Sequence, residues 1–266
     1  MRPGLPGIAP LLRSPAVIEA TSLGRPWILA LDYDGTLAPF RTERDQAYPY
    51  EQAQEILLRL PTSGPGRFLI VSGRECGSVS MLLGVSPPPE IWGCHGMQRL
   101  MPGGRLWTAP LDPVQLAALS TARGSVADAS AVEPKPCSVA LHWRGASPEH
   151  RAFLETVVKP FWESLARESR LELHAFDGGI ELRPPGLGKG AAIRMLAREN
   201  PDAVIFYLGD DATDEDAFKA LGDRGVGVLV RAEPRPTAAA YRITPPEELV
   251  RFLEAFAPDD GPAKGR

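Results

Sequence analysis

The chain has 266 residues, a formal net charge of −4 and 44% hydrophobic residues. That length accommodates one large domain or two smaller ones with a sizeable core, and the charge lacks the basic excess of a non-specific nucleic-acid binder. Any anionic ligand must therefore meet positive charge placed locally.

Residues 1–24 read as an N-terminal extension. Pro3, Pro6, Pro10 and Pro15 break its apolar stretches too often for a signal peptide or a membrane span. The first strong signal is the apolar run Trp27-Ile28-Leu29-Ala30-Leu31, which predicts a parallel strand covered on both faces. It ends in Asp32-Tyr33-Asp34-Gly35-Thr36. In open α/β sheets ligands gather at the carboxyl ends of strands, so two acids here suit chemistry, whereas Asp34-Gly35 alone also suits a simple turn. Arg67–Val71 predicts a second strand, ending in Ser72-Gly73-Arg74 and leading into a helix over 75–83. Gly188-Lys189-Gly190 opens a helical pattern through Asn200, with Ile193, Leu196 and Ala197 on one face. Ala203–Leu208 predicts another strand, and it ends in Gly209-Asp210-Asp211-Ala212-Thr213-Asp214-Glu215-Asp216. Part of that cluster suits a helix N-terminus with acids in its first turn.

Between Ser72 and Lys189 lie far more residues than one crossover helix needs, so a second domain is inserted there. Its pattern is strand-like at 100–107, helical at 113–121, strand-like at 138–143, helical at 148–167, then strand-like at 171–176 and 179–182. This alternation predicts an open sheet with two helices on one face. Gly103-Gly104 and Pro184-Pro185-Gly186 suit hinges. The expected organisation is a doubly wound α/β core over 25–104 and 185–257, an inserted α/β domain over 105–184, and a disordered tail over 258–266 that is rich in Pro, Gly and charge.

The aspartate pair, the serine, the lysine and the acidic cluster, in that order at strand ends or helix starts, resemble the four motifs of the haloacid dehalogenase superfamily. The resemblance implies phosphoryl transfer through a covalent aspartyl-phosphate, with Asp32 as nucleophile and Asp34 as general acid and base. Ser72 and Lys189 would hold the phosphate, with Gly73 and Arg74 beside them. Mg²⁺ would sit on Asp32, the backbone carbonyl of Asp34 and Asp210, supported by Asp211 and Asp214. The inserted domain resembles the larger of the superfamily's cap modules, which close over the site and read the leaving group.

Further stretches narrow the resemblance. Gly93-Cys94-His95-Gly96, Glu133-Pro134-Lys135, Leu141-His142-Trp143-Arg144, Glu181-Leu182-Arg183-Pro184 and the extended acidic motif through Ala217-Phe218 look like the trehalose-6-phosphate phosphatase family. That likeness runs over roughly residues 25–255. It implies that Glu133, Lys135, Arg144 and Glu181 grip the sugar, with His95 and Gly96 lining the pocket floor. Cys94 departs from the family's usual asparagine. Sucrose phosphate, a glycosyl-phosphoglycerate and a pseudo-disaccharide phosphate are alternative substrates on the same core. A catalytically silent phosphosugar-binding module and a mutase-like phosphotransferase are alternative activities.

The three cysteines, Cys76, Cys94 and Cys137, lack Cys-x-x-Cys spacing, which argues against a disulfide scaffold and for a reducing compartment. The expected partner is a small sugar phosphate. No nucleic acid or membrane is expected, the setting expected is cytoplasmic, and a monomer is favoured.

Overall fold

A computed structural model of the chain describes residues 4–41, 43–176 and 178–258. Residues 259–266 of the expected tail and the first three residues lie outside the described ones. The chain divides into two compact units, one running to Leu106 and resuming at Gly188, the other spanning Trp107–Leu187.

The first unit is built on β1 (Trp27–Leu31), β2 (Gly66–Val71), β3 (Glu90–Gly93) and β4 (Gln98–Leu100), and β5 (Leu106–Thr108) runs over the boundary between the units. The second carries β6 (Val132–Lys135), β7 (Ser138–His142), β8 (Glu172–Phe176) and β9 (Gly179–Arg183). The chain then returns with β10 (Val204–Gly209), β11 (Gly225–Val230) and β12 (Tyr241–Ile243). The larger sheet has the order β12-β11-β10-β1-β2-β3-β4-β5. Pairing is parallel from β12 through β3, and β4 returns antiparallel to β3.

Apolar runs without alternation form these strands because both faces are covered. Leu29, Leu31, Phe68, Ile70, Phe206 and Leu208 enter one buried cluster, while Ile28, Ala30, Leu69, Val71, Ile205 and Tyr207 enter the other. Neighbouring residues of a strand point to opposite faces, so each run must be apolar throughout. The first cluster is completed by the helices Glu51–Leu57, Cys76–Leu83 and Glu247–Glu254, the second by Lys189–Glu199 and Glu215–Leu221. Among the described residues no helix is long and apolar enough to cross a membrane.

Two local readings of the sequence are revised. The stretch set aside as an extension forms the helices Ile8–Leu12 and Pro15–Thr21, with Ile8, Leu11, Val17 and Ala20 in the core. Pro15 does not break its helix because it occupies the first turn, behind a Ser14 side chain that accepts from the Val17 N–H. The single strand expected over 100–107 is two short strands, β4 and β5, separated by a turn around Pro102-Gly103-Gly104.

In the second unit the sheet order is β6-β7-β9-β8, all antiparallel. One face packs Val139, Leu141, Ile180 and Leu182 against the helix Pro113–Gly124 and a second helical stretch that buries Trp162 completely. That second stretch, expected to be helical over 148–167, is helical from Pro148 to Ser169 and passes through a π turn at Leu154–Val158. Pro160 explains the widening: it lacks an N–H and its ring crowds the carbonyl of Thr156. The opposite face of the sheet is polar. By register it carries Glu133, Lys135, Ser138, His142, Glu181 and Arg183.

Candidate active site

The parallel register sets the site. Leu31 is level with Ile70 and Leu208, so Asp32, Ser72 and Asp210 emerge together at the carboxyl edge of three adjacent strands. Asp32 is anchored there by its N–H, which donates to the carbonyl of Leu208 at 2.9 Å.

Lys189, the first residue of its helix, is 4% exposed. Its ammonium lies 2.8 Å from Oδ1 of Asp32 and 2.7 Å from Oδ1 of Asp214. A cation at a helix N-terminus opposes the helix dipole, and these two buried carboxylates offset that cost. Burial would push the lysine down, but the charges of Asp214, Asp32 and Asp211 together hold it above its ordinary value, so it remains an ammonium.

Asp214 is the hub. Its Oδ1 accepts from Lys189 and from the Tyr207 hydroxyl at 2.5 Å, and its Oδ2 accepts from the N–H groups of Asp210 and Asp211, both at 3.0 Å. Four donors to one carboxylate fix the loop after β10. Asp211 is turned away into a local cap, accepting from the Thr213 N–H at 2.7 Å and hydroxyl at 2.6 Å. Burial raises its carboxyl, but Lys189 and the two Thr213 bonds outweigh burial and hold it below the ordinary value.

Asp32 and Asp210 behave differently. Burial pushes Asp32 well up, Lys189 opposes this, and the charges of Asp214, Asp210 and Asp211 add to the rise. Asp210 is pushed up to about 7 by burial and by the charges of Asp214 and Asp211. Its Oδ1 accepts from the Thr36 hydroxyl at 3.4 Å. Gly35 makes this approach possible: at φ +84° it lies so close that a Cβ there would stand 2.3 Å from Oδ2 of Asp210.

Asp32, Asp210 and Asp214 each offer a carboxylate oxygen within 4.8 Å of the others. Hard oxygens in a buried anionic cluster that Lys189 alone does not neutralise fit a small divalent cation. Asp214, saturated by its four donors, suits support of the cluster better than direct ligation. Burial, with the neighbouring carboxylates, disfavours the ionised forms of Asp32 and Asp210.

The remaining residues of the first unit form a second group. Asp34 is gripped by Arg74 through two bonds of 2.7 Å, from Nε to Oδ2 and from Nη2 to Oδ1. Arg74, expected beside the phosphate, therefore faces the Asp34 carboxylate. Ser72 is buried, and its Oγ accepts from the Arg74 N–H at 3.1 Å. The carbonyl of Ser72 accepts from the His95 N–H at 2.8 Å, and the His95 imidazole lies over Gly73. Cys94 and His95 both take left-handed backbone angles, φ 48° and 55°, and buried Gly96 follows them. Cys94 is buried and its thiol donates to Gln98 Oε1 at 3.6 Å.

On the polar face of the second unit, Lys135 Nζ lies 3.0 Å from Glu181 Oε1, which also accepts from the Ser138 hydroxyl at 2.7 Å. Glu133 Oε2 is 2.9 Å from His142 Nε2. Arg144 is exposed beyond the end of β7.

Sequence reasoning missed Tyr207, Thr36 and Arg235. Arg235 donates to the carbonyls of Asp210 and Asp211 and to Glu215 Oε1, bracing the acidic loop from outside. Tyr207 sits in an apolar strand run, and only its hydroxyl among otherwise aliphatic and phenyl side chains signals a polar partner.

Comparison with known proteins places this arrangement in a class. A trehalose-6-phosphate phosphatase C-terminal domain from C. albicans superposes with a TM-score of 0.75 at 22% identity, covering 96% of this chain and 99% of that one. A haloalkanoate (HAD) superfamily phosphatase from Bacteroides thetaiotaomicron superposes at 0.59 with 18% identity, covering 88% and 96%. The fold is that of the haloacid dehalogenase superfamily, a doubly wound α/β core with an inserted α/β unit. The trehalose-phosphatase family model matches residues 30–247. Similar sequences include the trehalose-phosphate phosphatase of Mycobacterium marinum, 31% identical over 89% of this chain, and trehalose-phosphate phosphatase B of Arabidopsis thaliana, 30% identical over 87%. The chain spans 64% and 66% of the lengths of those two relatives. The chain belongs to the trehalose-phosphatase family.

Proposed function

We propose that the chain is a phosphoric monoester hydrolase that releases phosphate from trehalose 6-phosphate through an aspartyl-phosphate on Asp32. The observation that carries the reaction class is the buried ammonium of Lys189 between Asp32 and Asp214, beside the raised Asp210. Family membership and the names of the relatives support the substrate.

In the first step an Asp32 oxygen attacks phosphorus as the bond from phosphorus to the sugar oxygen breaks. Asp34 gives that oxygen its proton, releasing the sugar. In the second step Asp34 takes a proton from water, the water oxygen attacks phosphorus, and the Asp32 carboxylate leaves. Because Arg74 holds both Asp34 oxygens, that pair must open for Asp34 to reach the leaving oxygen. Lys189 and Ser72 hold the phosphate in line with Asp32. Asp32 and Asp210, with the carbonyl of Asp34, would hold Mg²⁺, which supplies positive charge against the phosphate dianion.

The sugar is read by the polar sheet of the cap, where Glu133 and Glu181 accept from hydroxyls and Lys135 and Arg144 donate to them. A panel of sugar phosphates assayed for phosphate release with Mg²⁺ tests the reading. Trehalose 6-phosphate should be turned over far faster than glucose 6-phosphate, and equal rates would defeat the disaccharide assignment.

A further inference from the structure

We propose that His142 is a positioning residue, fixing the Glu133 carboxylate on the polar face of the cap sheet so that it meets the sugar hydroxyls. The proposal rests on the reading of Glu133 as a sugar contact.

The two carboxylates of that face are held differently. Glu181, 1% exposed, receives both an ammonium and a hydroxyl. Glu133 is more open, with 29% of its side chain accessible, and the imidazole of His142 lies 2.9 Å from its Oε2. Glu133 is level with Ala140, so His142, two residues further along β7, is its diagonal neighbour across the strand pair. Ala140 offers only a methyl group, and among the described contacts His142 reaches Glu133 from the facing strand.

A histidine used this way needs its own support, and the sheet provides it. His142 is level with Gly179, and Gly179 with Phe176 on the next strand. Gly179 has no side chain to separate the two rings. A Cβ there would stand 2.2 Å from Cζ of Phe176 and 2.4 Å from the carbonyl of Leu141. The phenyl ring therefore folds across the glycine and meets the imidazole with centroids 5.3 Å apart at an interplanar angle of 58°. Phe176, Gly179, His142 and Glu133 form one line across four strands, ending at a carboxylate. Binding groups held by packing and hydrogen bonding recognise hydroxyl ligands with less ordering cost on binding.

The test compares kcat and KM for trehalose 6-phosphate and 4-nitrophenyl phosphate in His142→Ala, His142→Gln, Glu133→Ala and the double variant His142→Ala/Glu133→Ala. His142→Ala should lower the selectivity for the sugar phosphate over the aryl phosphate by roughly tenfold, carried mainly in KM, as expected for loss of one hydrogen bond to a charged group. His142→Gln, which keeps a donor at that reach, should recover most of it. The double variant should be no more impaired than Glu133→Ala alone. The proposal is overturned if His142→Ala keeps wild-type selectivity while Glu133→Ala loses it, if both substrates suffer equally, or if the two substitutions add. A Glu133→Ala protein with unaltered selectivity would instead show that Glu133 is no sugar contact, overturning the underlying reading and the proposal with it.

Discussion

Replacing Asp210 by asparagine should stabilise the metal-free protein while destroying activity. Its carboxyl titrates at about 7 in the fold against 3.8 ordinarily, because burial and the charges of Asp214 and Asp211 disfavour its ionised form. The unfolded chain releases this proton near 3.8 and the folded chain only near 7, so the folded state binds more protons between those values. Stability therefore falls as pH rises through that window, and the penalty is complete above it. At about 1.4 kcal/mol per tenfold change in proton affinity, the difference corresponds to about 4 kcal/mol. Asparagine keeps the shape and can still accept from Thr36, so Asp210→Asn should recover on the order of 2–4 kcal/mol at about pH 8, a rise of roughly 5–15 °C in Tm. Near pH 5 only about a third of that window has been crossed, so the gain should shrink to about 1.5 kcal/mol, and it should vanish only below about pH 4. Thermal unfolding in chelator at both pH values, with Mg²⁺ added in parallel, makes the comparison. Mg²⁺ should raise the Tm of the unsubstituted protein and leave that of Asp210→Asn unmoved. An Asp210→Asn protein no more stable than the original at high pH, or one that gains equally at both pH values, would refute the reasoning.

Two further substitutions probe the same cluster. Lys189→Met leaves Asp32 and Asp214 buried without their cation and should cost about 3–5 kcal/mol, read by denaturant unfolding, with phosphate release lost even in the folded fraction. Gly35→Ala drives a methyl group into the Asp210 carboxylate and meets a left-handed φ, at a backbone cost of about 1–2 kcal/mol. It should sharply raise the Mg²⁺ concentration needed for half-maximal rate, and an unchanged activation curve would contradict the placement of Asp210.

The strands of the core were legible because burial on both faces demands unbroken apolar runs, as in Trp27–Leu31 and Val204–Gly209. The residues that the fold gathers at one sheet edge were legible because they lie just beyond those runs. The described N-terminal residues were not, since Pro3, Pro6, Pro10 and Pro15 read as interruption, whereas Pro15 begins a helix whose Val17 and Ala20 are core. Tyr207 was hidden by its own setting: five of six residues in its strand are apolar or glycine, so its hydroxyl passed as packing. Arg235 carries no motif and acts on backbone carbonyls more than twenty residues earlier, a relation that exists only in three dimensions. The partner of Arg74 was invisible for the same reason. A guanidinium next to Ser72 reads as a phosphate ligand from the sequence, and the fold brings Asp34 to two of its donors.

The most direct test of the account is to quench the protein during turnover of trehalose 6-phosphate with Mg²⁺, reduce it with borohydride and map the modified residue by mass spectrometry. An acyl phosphate on Asp32 is reduced to the corresponding alcohol, whereas a free carboxylate is not. The account predicts reduction at Asp32 that depends on substrate and on Mg²⁺, and an Asp32→Asn protein that neither turns over nor traps. Phosphate release at an undiminished rate from Asp32→Asn, or turnover that leaves Asp32 unreduced while another residue is trapped, would contradict it.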